Sequence, residues 1–187
     1  MRIAILSDIH DNIWNVSAAV KHAREVQCEV LLCCGDLCSP FVMDRLRLFS
    51  GAVHIVFGNN DADLYRITQK SDDRVRVHGE FFEGQFGGRR VAMQHYDNIA
   101  RGLAHSGLYD LVCYGHNHRL RVTRVKQTLA VNPGPLMGAA GFTSKGWEDV
   151  AATFLVYDTD SGGVAAFRVE GEGRVERHDF EIGVGWD

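Results

Sequence analysis

The stretch MRIAILSDIH at positions 1–10 joins an apolar run to a small polar cluster. The run from Arg2 to Leu6 has the continuous apolar character of a strand that is buried on both faces of a parallel sheet. Asp8 and His10 stand just past its carboxyl end, which is where open α/β sheets bind ligands. A carboxylate and an imidazole at that place suit a divalent transition metal.

Four further polar clusters also follow apolar runs that are typical of strands. They are Gly35-Asp36, Gly58-Asn59-Asn60-Asp61, His95 and Gly115-His116-Asn117-His118. Because strand ends on an open sheet can meet in one crevice, we expect all five clusters to converge there. Their carboxylates, imidazoles and amide oxygen are numerous enough to hold two metal ions. The sequence therefore predicts a metal-dependent hydrolase.

The order of these clusters resembles the calcineurin-like metallophosphoesterase superfamily. It reads Asp-x-His, Gly-Asp, Gly-Asn-x-Asp, His and Gly-His-x-His, and the match extends from Met1 to about Pro135. A single Gly-Asp or Gly-His pair carries little information, whereas five blocks in this order seldom arise by chance. The length is similar to that of the small single-domain bacterial and archaeal phosphodiesterases of the superfamily. Residues 1–187 are therefore interpreted as one such domain.

The resemblance implies a ligand set for two divalent metal ions. Asp36 takes the bridging position, Asp8, His10 and His118 complete the first site, and Asn59, His95 and His116 complete the second. It also makes Asp36, Asn59 and His116 the catalytic residues. Manganese is the expected metal, with iron, nickel or zinc as alternatives. Taken singly, each of these side chains would more often be a surface or capping residue, so only the joint pattern supports the metal interpretation.

The expected reaction is hydrolysis of a phosphodiester that is small or nucleotide-like. Two cations would hold the phosphate oxygens, and a metal-bound water or hydroxide would attack phosphorus in line with the leaving group. Many relatives place a histidine, acting as general acid, directly after the metal-binding asparagine, where this chain has Asn60. This difference makes phosphomonoesterase activity a weaker alternative.

Two aspartates close to the predicted ligands invite more than one interpretation. Asp61 is placed to accept a hydrogen bond from the Asn59 amide nitrogen, which would leave the amide oxygen facing the metal. The His-Gly-His segment of the family reads His95-Tyr96-Asp97 here. Asp97 is interpreted either as a residue that holds a ligand histidine or as a helix cap.

The main alternative from a different class is a protein-binding scaffold. A eukaryotic vacuolar-sorting subunit of a coat complex has the same fold and resembles these enzymes. Sequences of that lineage differ from the family pattern at the Asp-x-His block, whereas this chain retains His10 and every other ligand position. We therefore favour the enzyme.

Charge and hydropathy narrow the set of partners. The chain has 20 basic and 24 acidic residues, a net charge of −4 and no basic run, which argues against long nucleic acids as the main partner. No segment has the length of a signal-peptide core or a membrane span, so we expect a cytoplasmic protein without membrane association.

The five cysteines are expected to be reduced. The expected partner is a small phosphoester substrate, and the oligomeric state is not indicated.

Periodicity predicts a four-layer αββα sandwich, in which two mixed sheets are flanked by helices. The first half predicts a βαβαβ unit with strands at 2–6, 30–34 and 53–57. Later strands are predicted at 75–86, 89–94, 111–114, 120–125, 128–131, 150–157, 164–169 and 174–182, and a helix between 97 and 107. The glycine-rich stretch from Gly134 to Gly146 predicts a long loop that is functional or mobile.

Overall fold

The computed structural model describes residues 1–144 and 146–186 of the chain. Its helices are α1 (Ile13–Glu25), α2 (Phe41–Leu46), α3 (Leu64–Gln69) and α4 (Asp97–Ser106), with a 3-10 turn at Gly171–Gly173. Its strands are β1 (Arg2–Leu6), β2 (Val30–Cys33), β3 (Ala52–Ile55), β4 (Val75–Val77), β5 (Phe81–Phe86), β6 (Arg89–Gln94), β7 (Leu111–Cys113), β8 (Leu120–Val125), β9 (Thr128–Pro133), β10 (Ala139–Thr143), β11 (Gly146–Asp149), β12 (Ala152–Asp158), β13 (Val164–Glu170), β14 (Arg174–His178) and β15 (Ile182–Val184).

The strands form two large mixed sheets. The first has the order β14-β13-β12-β1-β2-β3-β4, with β1 to β4 parallel and β12 antiparallel to β1. The second has the order β15-β8-β9-β7-β6-β5, in which β6, β7 and β9 run parallel. The parallel core of each sheet places several strand ends at one edge, as the sequence pattern predicted.

Three apolar layers define the packing. Ile3 and Ile5 of β1 point between the two sheets, whereas Ala4 and Leu6 point toward α1 and α2 on the outer face of the first sheet. Helix α4 packs on the outer face of the second sheet, where Ala100 is fully buried. Because β1 is covered on both faces, its sequence is continuously apolar. The four-layer αββα sandwich of two mixed sheets flanked by helices is confirmed.

Four local expectations differ from the structure. The predicted strand at 75–86 is two strands, β4 in the first sheet and β5 in the second, because alternation reports which side chains are covered but not which sheet covers them. The predicted strand at 174–182 is divided in the same way, with β14 in the first sheet and β15 in the second. No helix was predicted after the third strand, where the structure has α3, which Asp63 caps by accepting from the backbone nitrogen of Arg66. The predicted loop from Gly134 to Gly146 contains β10, which pairs with β11 in a hairpin. Lys145, inside that stretch, lies outside the described residues.

None of the helices in the described part of the chain has the length and apolar character needed to cross a bilayer.

Two histidines of the first sheet region contact each other and an aromatic ring of the second sheet. His54 of β3 and His78 share a hydrogen bond of 3.0 Å between Nδ1 and Nε2, and Phe82 of the opposite sheet stacks on His54 with ring centroids 4.5 Å apart. Burial, reinforced by His78 and Arg76, lowers the pKa of His54 to about 4. Burial also lowers the pKa of His78. Both imidazoles are therefore neutral in the folded protein at neutral pH.

This pair is expected to make the fold sensitive to acid. In the unfolded chain a histidine has a pKa near 6.5, so below that pH the unfolded state binds more protons than the folded state. The free energy of unfolding is therefore highest above about pH 6.5 and decreases as the pH falls through the folded pKa of His54. A shift of this size corresponds to a decrease of about 3 kcal/mol. Urea unfolding at a series of pH values from about 7.5 to 4.5 measures it. His54→Gln should flatten the pH dependence, and His105→Gln, at an exposed position on α4, should not. Equal slopes in all three proteins would contradict this account.

Candidate metal centre

The five polar clusters meet at one crevice between the two sheets. Asp8 and His10 follow β1, Asp36 follows β2 and Asn59 follows β3, all from the first sheet, whereas His95 follows β6 and His116 and His118 follow β7, from the second. The structure therefore brings together all seven side chains that the sequence singled out.

Several of these residues hold backbone conformations that side chains with a Cβ rarely adopt. Asp8, His10, Asp36, His116 and His118 have φ values of 50°, 43°, 56°, 74° and 54°, all in the left-handed region. Such conformations cost roughly 1–3 kcal/mol each and persist where the surrounding structure enforces them, which is common at functional sites. Their concentration at one crevice makes it the candidate functional site.

The first cluster consists of Asp8, His10, Asp36 and His118. Each offers one ligand atom, and these atoms lie within 4.8 Å of one another. His10 Nε2 is 3.4 Å from Asp36 Oδ2 and 3.2 Å from His118 Nε2, and His118 Nε2 is 3.4 Å from Asp8 Oδ1. Both carboxylates are almost fully buried. Buried carboxylates facing imidazole nitrogens are a donor set that fits a divalent transition metal.

The second cluster consists of Asn59, His95 and His116 and shares Asp36 with the first. Asn59 Oδ1 lies 3.1 Å from His95 Nε2 and 2.8 Å from His116 Nδ1. His95 Nε2 is 3.5 Å from Asp36 Oδ2. Oδ2 of Asp36 therefore lies within 3.5 Å of both His10 and His95, one from each cluster.

Two histidines are oriented by backbone carbonyls. His95 Nδ1 donates to the carbonyl of Cys34 at 2.7 Å, and His118 Nδ1 is 3.1 Å from the carbonyls of both Ala139 and Ala140. A carbonyl can only accept, so each Nδ1 carries a proton, and Nε2 is the atom of each ring that a metal ion would bind. This arrangement is typical of histidines that bind metals. The start of the β10–β11 hairpin thus orients His118, a predicted ligand. The sequence did not indicate this contact.

The electrostatics of the crevice favour bound positive charge. Burial works against the ionised form of Asp36, but hydrogen bonds and charge from His95, with Asn60, outweigh it and lower the Asp36 pKa well below its usual range. Burial opposes the charged form of His95, yet Asp36 raises its pKa, and a hydrogen bond with Asp8 raises the pKa of His118. The Asp36 carboxylate is thus ionised over a wide pH range.

Asp61 plays a different part from the one predicted. Its Oδ2 accepts from the backbone nitrogens of Asp36 at 3.1 Å and Gly58 at 2.7 Å, and its Oδ1 accepts from that of Cys38 at 2.8 Å. The expectation that Asp61 accepts from the Asn59 amide was wrong, because proximity in sequence did not reveal that the turn after β2 lies against the turn after β3. Asp61 instead fastens these two turns together.

Asn60 and Asp97 also have defined contacts. The backbone nitrogen and Nδ2 of Asn60 donate to Asp36 Oδ1 and Oδ2, each at 2.8 Å. Asp97 is the first residue of α4, which Tyr96 precedes as the N-cap residue without a side-chain hydrogen bond. Asp97 Oδ2 is 3.5 Å from Nδ2 of Asn117, the residue between two predicted ligands. Asp97 thus supports the histidine-bearing turn indirectly.

Two glycines allow the turns to approach closely. A Cβ at Gly58 would collide with Asp36 Oδ1, and a Cβ at Gly115 would collide with Ser7 Oγ. Any other residue at these positions would push the strand ends apart. The Gly-Asn and Gly-His pairs in the sequence therefore have a steric origin.

The chain is similar to known phosphoesterases. The profile of the calcineurin-like phosphoesterase superfamily domain matches residues 1–162. Phosphodiesterase MJ0936 of Methanocaldococcus jannaschii is 28% identical over 142 residues, which are 74% of this chain and 86% of that protein. A structure described as a novel archaeal phosphodiesterase superposes with a TM-score of 0.76 at 23% identity, over 95% of this chain and all of the other.

A further solved structure is similar in fold. It is wild-type Vps29 of Entamoeba histolytica in complex with zinc, with a TM-score of 0.62 at 20% identity over 97% of this chain and all of that one. With 162 residues matched by the family profile, the protein is a member of the calcineurin-like phosphoesterase superfamily. The family resemblance found in the sequence is confirmed.

Proposed function

We propose that residues 1–187 form a single-domain cytoplasmic phosphodiesterase that uses two divalent metal ions. Asp8, His10, Asp36 and His118 would hold one ion, and Asp36, Asn59, His95 and His116 the other. The observation that carries the proposal is the position of Asp36, whose carboxylate contacts His10 at 3.4 Å and His95 at 3.5 Å. Manganese is the metal we expect, with iron, nickel or zinc as alternatives.

The protein's own contribution is to fix these donors before substrate arrives. A pair of divalent ions, when bound, neutralises phosphate oxygens and lowers the pKa of water. Backbone carbonyls bind the Nδ1 atoms of His95 and His118 and so fix the orientation of both rings, and Asp61 fixes the turn that carries Asp36. His116 is exposed and at the mouth of the crevice, where it can contact a phosphate oxygen. A small phosphodiester is the substrate class we propose, and a phosphomonoester the weaker alternative.

A protein-binding scaffold remains the second candidate, and the fold similarity to Vps29 favours it. The zinc complex of that protein shows that metal binding alone does not separate the two functions. Retention of every predicted ligand here supports the enzyme. Catalytic turnover is therefore the property that distinguishes them.

Purified protein is expected to hydrolyse bis(4-nitrophenyl) phosphate when manganese is present. Chelator should abolish the reaction and added manganese should restore it, because each cluster needs its ion to neutralise the phosphate. His116→Asn should reduce the rate, and His105→Asn on the exposed face of α4 should not. Release of 4-nitrophenolate measures the rate. If no ester in a panel of mono- and diesters turns over faster than with free manganese, the scaffold becomes the better interpretation.

A further inference from the structure

A cavity of about 390 Å³ opens beside the metal centre and shares His118 with it. Its walls come from the ends of β8 and β9, the start of β12 and the end of β14. The Nε2 atom of His118 faces Asp8 in the crevice at 3.4 Å, while the residue also lines the cavity. The cavity is therefore adjacent to the crevice, with His118 as the residue common to both. Its size lies within the range of small-molecule sites.

Besides His118, the cavity is lined by two basic side chains and several apolar ones. Arg119 and His178 line it, together with apolar side chains such as Leu120 and Pro135, and no described carboxylate is among the lining residues. Arg119 is exposed, and its guanidinium forms no ion pair with the described part of the chain. By contrast, Arg47, which directly follows α2, is paired with Asp72 at 2.6 Å. The cavity thus offers unsatisfied donors to an anion.

Thr153 is the polar group deeper in the cavity, and it is already satisfied. Its Oγ1 donates to the carbonyl of Pro133 at 2.7 Å, so it contributes shape more than hydrogen bonding. The part of a ligand that lies against Leu120, Pro135 and Val150 is therefore expected to be a carbon skeleton. The anion belongs near Arg119 and His178.

We propose that this cavity is a substrate subsite for a second anionic group. Resting on the proposed phosphodiesterase function, it narrows the substrate class to diesters in which one esterified group carries a further phosphate or carboxylate. The scissile phosphate would lie at the two metal clusters and the carbon skeleton along the apolar wall, with the second anion between Arg119 and His178. A nucleotide with an additional phosphate on its sugar has this form.

The test compares two esters that differ only in the second anion. Thymidine 5′-(4-nitrophenyl phosphate) is assayed with and without a 3′-phosphate, in the presence of manganese, and the ratio of the two kcat/KM values is measured. A charge-assisted hydrogen bond contributes enough for the phosphorylated ester to be preferred by about 10- to 100-fold. A substitution near His118 that lowers activity in general lowers both kcat/KM values by the same factor, so their ratio is unaffected.

Three variants locate the preference. Arg119→Gln should remove most of it, by about tenfold or more, and His178→Gln should remove part of it. Arg124→Gln, which deletes the same charge from an exposed position at the other end of β8, should keep it. An equal kcat/KM for the two esters in the wild type, or the same loss in Arg124→Gln as in Arg119→Gln, would overturn the proposal.

A third ester, with a carboxylate in place of the second phosphate, distinguishes a preference for phosphate from a preference for any anion. A 3′-O-carboxymethyl analogue of the same ester should be preferred as well, though less than the phosphate, because it carries less charge. No turnover of any of these esters would overturn the phosphodiesterase function and this subsite with it. Turnover of all three without discrimination would overturn the subsite alone.

Discussion

Asp36→Asn is expected to cause a larger loss of activity than the same change at any other predicted ligand. Asp36 is almost fully buried and its carboxylate faces both clusters, so that one substitution would weaken both proposed metal sites. An asparagine keeps the shape but has one oxygen and no charge. Loss of a residue that only supports a ligand typically costs about 10- to 100-fold, and we expect Asp36→Asn to exceed this range. Steady-state hydrolysis of bis(4-nitrophenyl) phosphate with saturating manganese measures it.

Two comparison variants make this result interpretable. Asp8→Asn affects only the first cluster and should retain more activity than Asp36→Asn. Asp44→Asn removes an exposed carboxylate of α2 that pairs with Lys70, and it should leave activity unchanged. If Asp8→Asn were the more damaging change, Asp36 would not be the shared ligand.

Asp61→Asn is expected to lower metal affinity and activity by about 10- to 100-fold although Asp61 is not a predicted ligand. Its two oxygens accept from three backbone nitrogens, at Asp36, Cys38 and Gly58. Asparagine can accept with one oxygen only, and its Nδ2 would face an N–H group. One or more buried N–H groups would lose a partner, at a cost of about 1–3 kcal/mol, and the turn carrying Asp36 would loosen.

Manganese titration followed by calorimetry, together with kinetics at increasing manganese, separates positioning from general destabilisation. Excess manganese should partly restore activity in Asp61→Asn, because the ligands themselves are intact. Asp63→Asn is the matched control, since Asp63 caps α3 and an asparagine can cap equally well. Wild-type manganese affinity in Asp61→Asn would contradict a positioning role.

Much of this site could be predicted from the sequence because the ligands follow apolar strands. A continuous apolar run indicates a buried strand, and the residue just past that strand has a defined place at the sheet edge. For that reason Asp8, Asp36 and His95 could be assigned to one crevice before their distances were known. The βαβαβ unit was predictable on the same basis, since β1, β2 and β3 are covered on both faces.

Other features depend on contacts between segments that are distant in sequence. The role of Asp61 arises because the turn after β2 touches the turn after β3, and no local pattern encodes that contact. The carbonyls of Ala139 and Ala140 that orient His118 belong to a glycine-rich stretch whose composition predicted only a loop. The division of 75–86 between two sheets has the same origin, because periodicity does not identify the partner strand.

The number of metal ions at Asp36 tests the central claim most directly. Crystals of manganese-saturated protein, with anomalous scattering collected at the manganese edge, reveal each ion and its ligands. We predict two ions, one on each side of the Asp36 carboxylate, with Asp8, His10 and His118 around the first and Asn59, His95 and His116 around the second. A single ion at saturating manganese, or an Asp36 carboxylate that binds neither ion, would contradict the account.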